Sequence, residues 1–322
     1  MKTNTEFVPE VCVDAGNRAI KWAKSNGTTY CIPSFIKQIK SFESIPTKLD
    51  SQSILIQRGS TAHIIGKSAR INGTPVYQAS KTKLASLLVL TAIEPIKGSS
   101  VPLRVGKLKV CLPDTREAAA VADLQGLVGE QEFIRNGQSI KLIVDEVAII
   151  EEGQGEFAYC QTHGMFDYPQ RLNGVLSLGG GDVLGRLFDT EGNVLRDADI
   201  RLPGTYNLAN AIASYLAVEL GTSPDLSLIM DGIADNSFFY GMTGINFNAA
   251  YSECRLSWLT SIKAKIKEKW GAYASDLGQI VVTGGSAPLV SELYSGNPNA
   301  RYKESPNPQF IGVLGMQLIK GE

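Results

Sequence analysis

The sequence predicts an α/β protein made of two similarly built halves, and three observations carry that prediction. Residues 11–35 read as strand, glycine turn, strand, Asn-Gly turn, strand, and residues 174–196 repeat the layout with a triple-glycine turn and a second turn at Thr190–Asn193. Tyr206 to Leu220 and Leu256 to Trp270 carry apolar residues at helical spacing. Near the end, the short apolar strand Gln279–Val282 runs through Thr283-Gly284-Gly285-Ser286 into a helix expected from about Pro288 to Tyr294. A chain of 322 residues is long enough for two domains with separate cores.

Composition excludes several classes. The 31 Lys and Arg nearly balance the 32 Asp and Glu, so no net field favours nucleic acid or a membrane surface. No apolar run reaches the about 18 residues of a membrane span, and the polar segment Met1–Glu10 lacks a signal-peptide core. Five cysteines without a C-x-x-C pair argue against a disulfide framework or a cysteine zinc site. His63 and His163 stand far apart without ligand patterns. The cytoplasm is the economical location.

In chain order, Val11–Trp22 (V-C-V-D-A-G-N-R-A-I-K-W) is a strand ending at Asp14, a tight turn through Gly16-Asn17, and a return strand carrying Lys21. Gly16 is expected at positive φ, leaving nearby amides uncovered. Thr28–Phe35 is the third strand. Ile54–Ile56 and His63–Gly66 flank the turn at Arg58–Ser60, and Lys81–Ile93 has the apolar density of one mostly buried helix. Leu108–Leu112 is a strand, after which Asp114 is the expected N-cap of an Ala-rich helix. Ile140–Val144 and Val147–Ile150 are two β-branched runs, the second ending at Glu151-Glu152-Gly153. Leu208, Ile212, Tyr215 and Leu216 should line one side of the first long helix, and Leu256, Leu259, Ile262, Ile266 and Trp270 one side of the second. Lys263, Lys265, Lys267 and Lys269 are a solvated face, since no aromatic or arginine partners for nucleic acid stand nearby. Pro308–Ile319 is a last helix, with Phe310, Val313, Leu314 and Ile319 free to pack onto a domain.

Three glycine corners follow strands: Asp14–Asn17, Ser177–Asp182 and Thr283–Ser286. Each alone is a tight turn. Together they suit a nucleotide, because uncovered backbone amides form anion-binding concavities and a strand–glycine–helix corner exposes further amides.

At these residues the sequence resembles the actin-like ATPases, in particular the ParM-type plasmid-segregation actins. Their first phosphate motif is matched in spacing by Asp14, Gly16, Asn17 and Lys21. Their second, Asp-x-Gly-Gly-Gly-Thr, aligns with Ser177 to Asp182, including Gly179, Gly180 and Gly181. The adenosine motif is similar to Val281–Ala287, with Gly284, Gly285 and Ser286, and the segment that positions the attacking water aligns with Glu151-Glu152-Gly153, making Glu152 the implied catalytic residue. Two positions depart from the pattern: Ser177 replaces the acid that helps hold hydrated magnesium, and Asp182 replaces the threonine.

The resemblance implies an actin-like fold of two ribonuclease H-like domains, mixed sheets flanked by helices around a nucleotide cleft. Domain I would span 1–170, with an insertion at about 36–100 and completion by a C-terminal helix at 308–322, and domain II 171–307. It also implies ATP or ADP (GTP as the alternative) with Mg2+, ordered through water by Asp14 with Asp182 a second candidate. Nucleotide-dependent filaments driving plasmid or DNA segregation would follow, with hydrolysis timing disassembly and a DNA-bound adaptor protein as partner. Neither direct nucleic-acid binding nor membrane association is expected. Two alternatives stay open: a small-molecule kinase of the same design, which needs a substrate-deprotonating Asp, and a filament or scaffold with weak hydrolysis.

Overall fold

Both sheets start with the same three-strand meander, and in each the first strand of the meander also pairs in parallel with a later strand. The computed structural model describes residues 5–79, 81–95, 98–295 and 301–320. Residues 1–4 of the polar N-terminus and 321–322 of the expected terminal helix lie outside them. The chain divides into two compact units, Met1–His163 with Phe310–Glu322, and Gly164–Gln309.

In the first unit β1 (Glu6–Ala15), β2 (Ala19–Lys24) and β3 (Thr29–Pro33) form the antiparallel meander. β4 (Phe35–Ile39), β5 (Ser53–Arg58), β6 (Thr61–Gly66) and the short β7 (Thr74–Pro75) build the outlying part of the sheet, with α1 at Ala85–Val89 following. β8 (Leu103–Leu112), α2 (Ala118–Gln125), β9 (Gly129–Arg135), β10 (Gln138–Glu151) and α3 (Gln154–Thr162) complete this stretch. The ten strands run in the order β3-β2-β1-β8-β10-β9-β5-β6-β4-β7. β1, β8 and β10 are mutually parallel neighbours, so Ala15, Leu112 and Glu151 end at one edge, the side where open α/β sheets place ligands.

In the second unit β11 (Leu172–Leu178) and β12 (Asp182–Phe188) flank the triple-glycine turn, and β13 (Ile200–Pro203) adds to β12. α4 (Thr205–Leu220), α5 (Leu226–Ala234), α6 (Asn248–Trp270), β14 (Leu277–Thr283) and β15 (Tyr302–Glu304) follow. The order β13-β12-β11-β14-β15 reproduces β3-β2-β1-β8-β10 strand for strand, with β14 parallel to both β11 and β15. The chain then returns to the first unit as α7 (Ile311–Met316).

Period-two alternation splits β1 between two hydrophobic layers. Val11, Val13 and Ala15 join the large core containing Leu88, Leu108, Leu124 and Val144, while Cys12 packs with Ala23, Cys111, Ile150, Val313 and Met316 under α7. Lys109, opposite Cys12 on β8, is buried on the α7 side at 3% exposure, and its ammonium reaches Glu10 at 2.6 Å and the Met316 and Ile319 carbonyls at 2.8 Å each. A cation on the last carbonyls of a helix is favourable in both charge and hydrogen bonding. Among the described residues no helix is long and apolar enough to cross a membrane.

Several sequence expectations are corrected. Lys81–Ile93 is not one helix: 3-10 turns at Lys81–Leu84 and Leu90–Ala92 bracket α1, and the Thr91 hydroxyl donates to the Leu88 carbonyl at 2.6 Å, which suits the tighter turn. Asp114 does not cap α2; it accepts the Arg116 amide at 2.9 Å and ion-pairs with the Arg116 guanidinium, and the helix starts at Ala118. The two runs in 140–150 are one strand, because Asp145 and Glu146 pair across to Arg104 and Lys107 on β8 without leaving the ladder. Val194 makes only an isolated bridge, and the third strand of the second meander lies later, at Ile200–Pro203. The element after the Thr283–Ser286 corner is a kinked 3-10 segment, Ala287–Leu293. Tyr215 and Leu256 are exposed at 49% and 63%. α6 instead buries Cys254, Trp258, Leu259, Ile262, Ile266 and Trp270. Its lysines follow expectation, with Lys263 and Lys267 exposed and Lys265 paired to Glu268 at 2.7 Å.

Candidate functional site

In the first unit the expected residues collect where β1 and β10 end. Asp14 and Lys21 are direct cross-strand partners, so their side chains share a sheet face, and their charged ends are 2.6 Å apart. Burial works against the Lys21 ammonium, yet Asp14, with smaller contributions from Glu156 and Glu152, holds its pKa above the ordinary lysine value. The turn between the strands covers three residues, Gly16, Asn17 and Arg18. Gly16 is not among the positive-φ residues. Its requirement is space: a Cβ there would sit 2.7 Å from the Ala19 carbonyl oxygen. Ser34, buried between β3 and β4, secures this turn by donating its hydroxyl to the Gly16 carbonyl at 2.5 Å and its amide to the Arg18 carbonyl at 2.9 Å. Both bonds engage carbonyls of the turn, those of Gly16 and Arg18, and neither engages its amides.

Glu152 lies on the turn from β10 into α3, its amide bonded to the Leu112 carbonyl at 2.8 Å. Sequence reasoning missed its neighbour Glu156, because the start of α3 was read only as a strand end. Gly153 adopts φ 95° and opens α3, and the Glu156 carboxylate accepts the Gly153 amide at 3.1 Å. The signal was present as a glycine followed three residues later by Glu, the spacing of a reciprocal helix-start bond. Burial pushes the Glu156 carboxyl up to about 7; its backbone hydrogen bond opposes this, and the charges of Glu152 and Asp14 add to it.

In the second unit two glycine corners adjoin. Ser177, on β11, is 7% exposed and pairs with Leu184 on one side and Thr283 on the other. The carbonyls of Gly179, Gly180 and Gly181 accept the amides of Thr205, Tyr206 and Gly204 at the start of α4 (3.2, 2.9 and 2.7 Å). The carbonyl side of the triple-glycine turn is therefore consumed by a helix N-terminus. Gly204 makes this approach possible, since a Cβ there would lie 2.5 Å from the Gly179 oxygen and 2.6 Å from the Gly180 oxygen. The Thr205 hydroxyl meets both the Ser286 hydroxyl, at 3.2 Å, and the Gly179 carbonyl, at 3.4 Å, and the Ser286 amide bonds the Leu178 carbonyl at 3.1 Å. Gly284 takes φ 90° hard against Leu178, whereas a Cβ on Gly285 would meet open space. Neither Ser34 nor Gly204 stood out in the sequence, since both act through contacts distant along the chain.

Asp182 shares the sheet face of Ser177, but its carboxylate is 2.8 Å from the Arg201 guanidinium. Asp14 is likewise held by Lys21. Among the described residues no group of three or more His, Cys, Asp or Glu side chains is arranged to hold a metal ion. Asp14 and Asp182 thus each face a cation, Lys21 and Arg201, and these two carboxylates do not by themselves make a direct magnesium site.

No protein-family model matches the sequence, and no curated protein matches it. Solved structures do. The crystal structure of Ta0583, an archaeal actin homologue, superposes with a TM-score of 0.78 over 96% of this chain and 98% of its own, at 13% identity. Its complex with ADP gives a TM-score of 0.74 at 14% identity, over 96% and 98%. A ParM from Clostridium botulinum, solved in a 15-stranded filament, gives 0.71 at 15% identity over 96% and 97%. This is the actin-like fold. In actin-like terms, the two meanders are the paired starts of its two ribonuclease H-like units, and each corner above sits at the carboxyl end of a meander's first strand or of its parallel neighbour.

Proposed function

We propose that this chain is a nucleotide-binding, filament-forming actin-like protein that uses ATP (ADP after turnover, GTP as the alternative) to drive plasmid or DNA segregation in the cytoplasm. One observation supports it most. The actin-like fold runs end to end through the chain, and its strand ends carry the Asp14–Lys21 pair in one unit and the back-bonded triple-glycine turn in the other. Lys21 would neutralise phosphate charge, and the amides of Gly16 and Asn17 would donate to phosphate oxygens. Gly180 and Gly181, whose carbonyls are already turned onto α4, would present their amides likewise. Gly284, Gly285 and Ser286 would lie against the nucleoside. Glu152 would orient the attacking water, because phosphoryl transfer asks a protein mainly for positioning and charge stabilisation. A bound nucleotide supplies the phosphoanhydride bond that is cut.

Slow turnover is a second reading with its own support. Ser177 stands where the resemblance expects an acid, and the Asp182 carboxylate is engaged by Arg201. A filament with weak hydrolysis fits that arrangement. The partners in either case are further copies of the chain and a DNA-bound adaptor protein.

Light scattering and pelleting with ATP, ADP and a non-hydrolysable ATP analogue, with phosphate release measured in parallel, test the proposal. A rise with ATP and the analogue supports a nucleotide-dependent filament. No rise, with phosphorylation of a small-molecule acceptor, overturns it in favour of a kinase.

A further inference from the structure

The turn that carries Glu152 is held at three consecutive amides. Glu151 donates to the Gln154 side chain at 2.9 Å, Glu152 to the Leu112 carbonyl at 2.8 Å, and Gly153 to the Glu156 carboxylate at 3.1 Å. Only the third holder is an ionisable side chain. Its carboxyl group also lies against the terminal helix: a Cβ on Gly312 would be 3.1 Å from Glu156 Cδ and from Oε1. α3 and α7 approach backbone to backbone here, since a Cβ on Gly155 or on Gly315 would collide with the other helix. α7 is in turn fixed by the Lys109 bonds to Met316 and Ile319.

We propose that Glu156 is a positioning residue, wedged between the Gly153 amide and Gly312, that sets where Glu152 stands, with α7 as the wall that keeps it there. This rests on the proposed hydrolytic role of Glu152. The ionisable groups facing Glu156 are Asp14 on β1, Lys21 on β2, Glu152 on the turn and, more distantly, Cys160 on its own helix. α7 contributes none over Ile311–Met316. A side chain that positions another changes the chemical step more than ground-state binding, because the nucleotide contacts lie on other residues.

The test uses the full chain, with single-turnover phosphate release and nucleotide affinity measured separately in Glu156→Ala, Glu156→Gln and Gly312→Ala. Glu156→Ala should lower the rate of the chemical step about 10- to 100-fold, the scale of a small misplacement, with nucleotide affinity unchanged within about twofold. Glu156→Gln keeps an acceptor for the Gly153 amide and should recover most of the rate. Gly312→Ala, which presses on the carboxyl from the α7 side, should reproduce the loss. A Glu156→Ala rate within about twofold of the parent, or Gln as impaired as Ala, overturns the inference while leaving nucleotide-driven turnover standing. A parent that binds nucleotide without turning it over removes the hydrolytic reading and this inference together.

Discussion

Asp14 and Lys21 face each other across one rung of the β1–β2 hairpin, and their charged groups are 2.6 Å apart. The pairing pre-sets the lysine at the strand end, so the cation waits at a fixed point instead of sampling rotamers. Charge-assisted contacts of this kind contribute about 1.5–3 kcal/mol, so Lys21→Ala should weaken ATP binding about tenfold or more. Asp14→Ala should weaken binding of ATP in magnesium buffer more than Ser177→Ala does, because Ser177 is a buried neutral hydroxyl within β11. Titration with a fluorescent ATP analogue measures both. Comparable losses would shift the weight to the second unit.

Gly204 has the opposite character, a residue defined by what it lacks. Any side chain there meets the Gly179 and Gly180 oxygens and the Asp182 amide, at 2.5–2.8 Å. Gly204→Ala should therefore destabilise the protein by about 2 kcal/mol, as overpacking does. It should also displace the triple-glycine turn and reduce nucleotide affinity. Denaturant titration and nucleotide binding check the two effects, and an unchanged midpoint would show that α4 can retreat at no cost.

Lys109 predicts a larger loss. Replacing it with alanine leaves Glu10 without its 2.6 Å partner and removes the donor shared by the Met316 and Ile319 carbonyls. Breaking a buried pair by deleting one member costs about 3 kcal/mol. Thermal unfolding of Lys109→Ala, with hydrogen exchange over α7, should show a lower midpoint and faster exchange in the terminal helix. Lys109→Met, which fills the volume without a buried charge, should recover part of the packing while leaving the Met316 and Ile319 carbonyls without their donor.

Glu156 predicts a pH effect of definite sign. Burial raises its carboxyl from the ordinary 4.5 to about 7 in the folded protein. Between those values the folded state holds a proton that the unfolded chain has released, so stability falls as pH rises through the window and the penalty is complete above it. Below 4.5 both states are protonated and the group contributes nothing. Glu156→Gln removes the ionisation, so its melting temperature relative to the parent should be higher at about pH 8 than at about pH 5. An unchanged difference across the two conditions would show that Glu156 titrates as an ordinary surface acid.

How much of this was legible in the sequence varies by element. The hairpin carrying Asp14, Gly16, Asn17 and Lys21 was readable because alternation and a glycine turn are local, and a two-residue pattern fixes which side chains share a face. The first two strands of the second meander and the triple-glycine turn between them were readable for the same reason, whereas its third strand was placed too early, before Ile200–Pro203. The run at 81–93 was misread because apolar density does not distinguish one helix from a short helix set between two 3-10 turns. Asp114 was misread because an aspartate can close its own turn as readily as cap a helix.

The sequence alone determined the two-half α/β plan, the three glycine corners and the residue types that could meet a phosphate, since each rests on neighbours within a few positions. Tertiary structure alone decided what those residues touch. It gave Asp182 to Arg201, set Ser34 behind the first turn and Gly204 behind the second, and brought Glu156 between Gly153 and Gly312. Those contacts join residues as far apart as Glu156 and Gly312, and they form only where packed elements bring distant segments within hydrogen-bond reach. No local pattern encodes them.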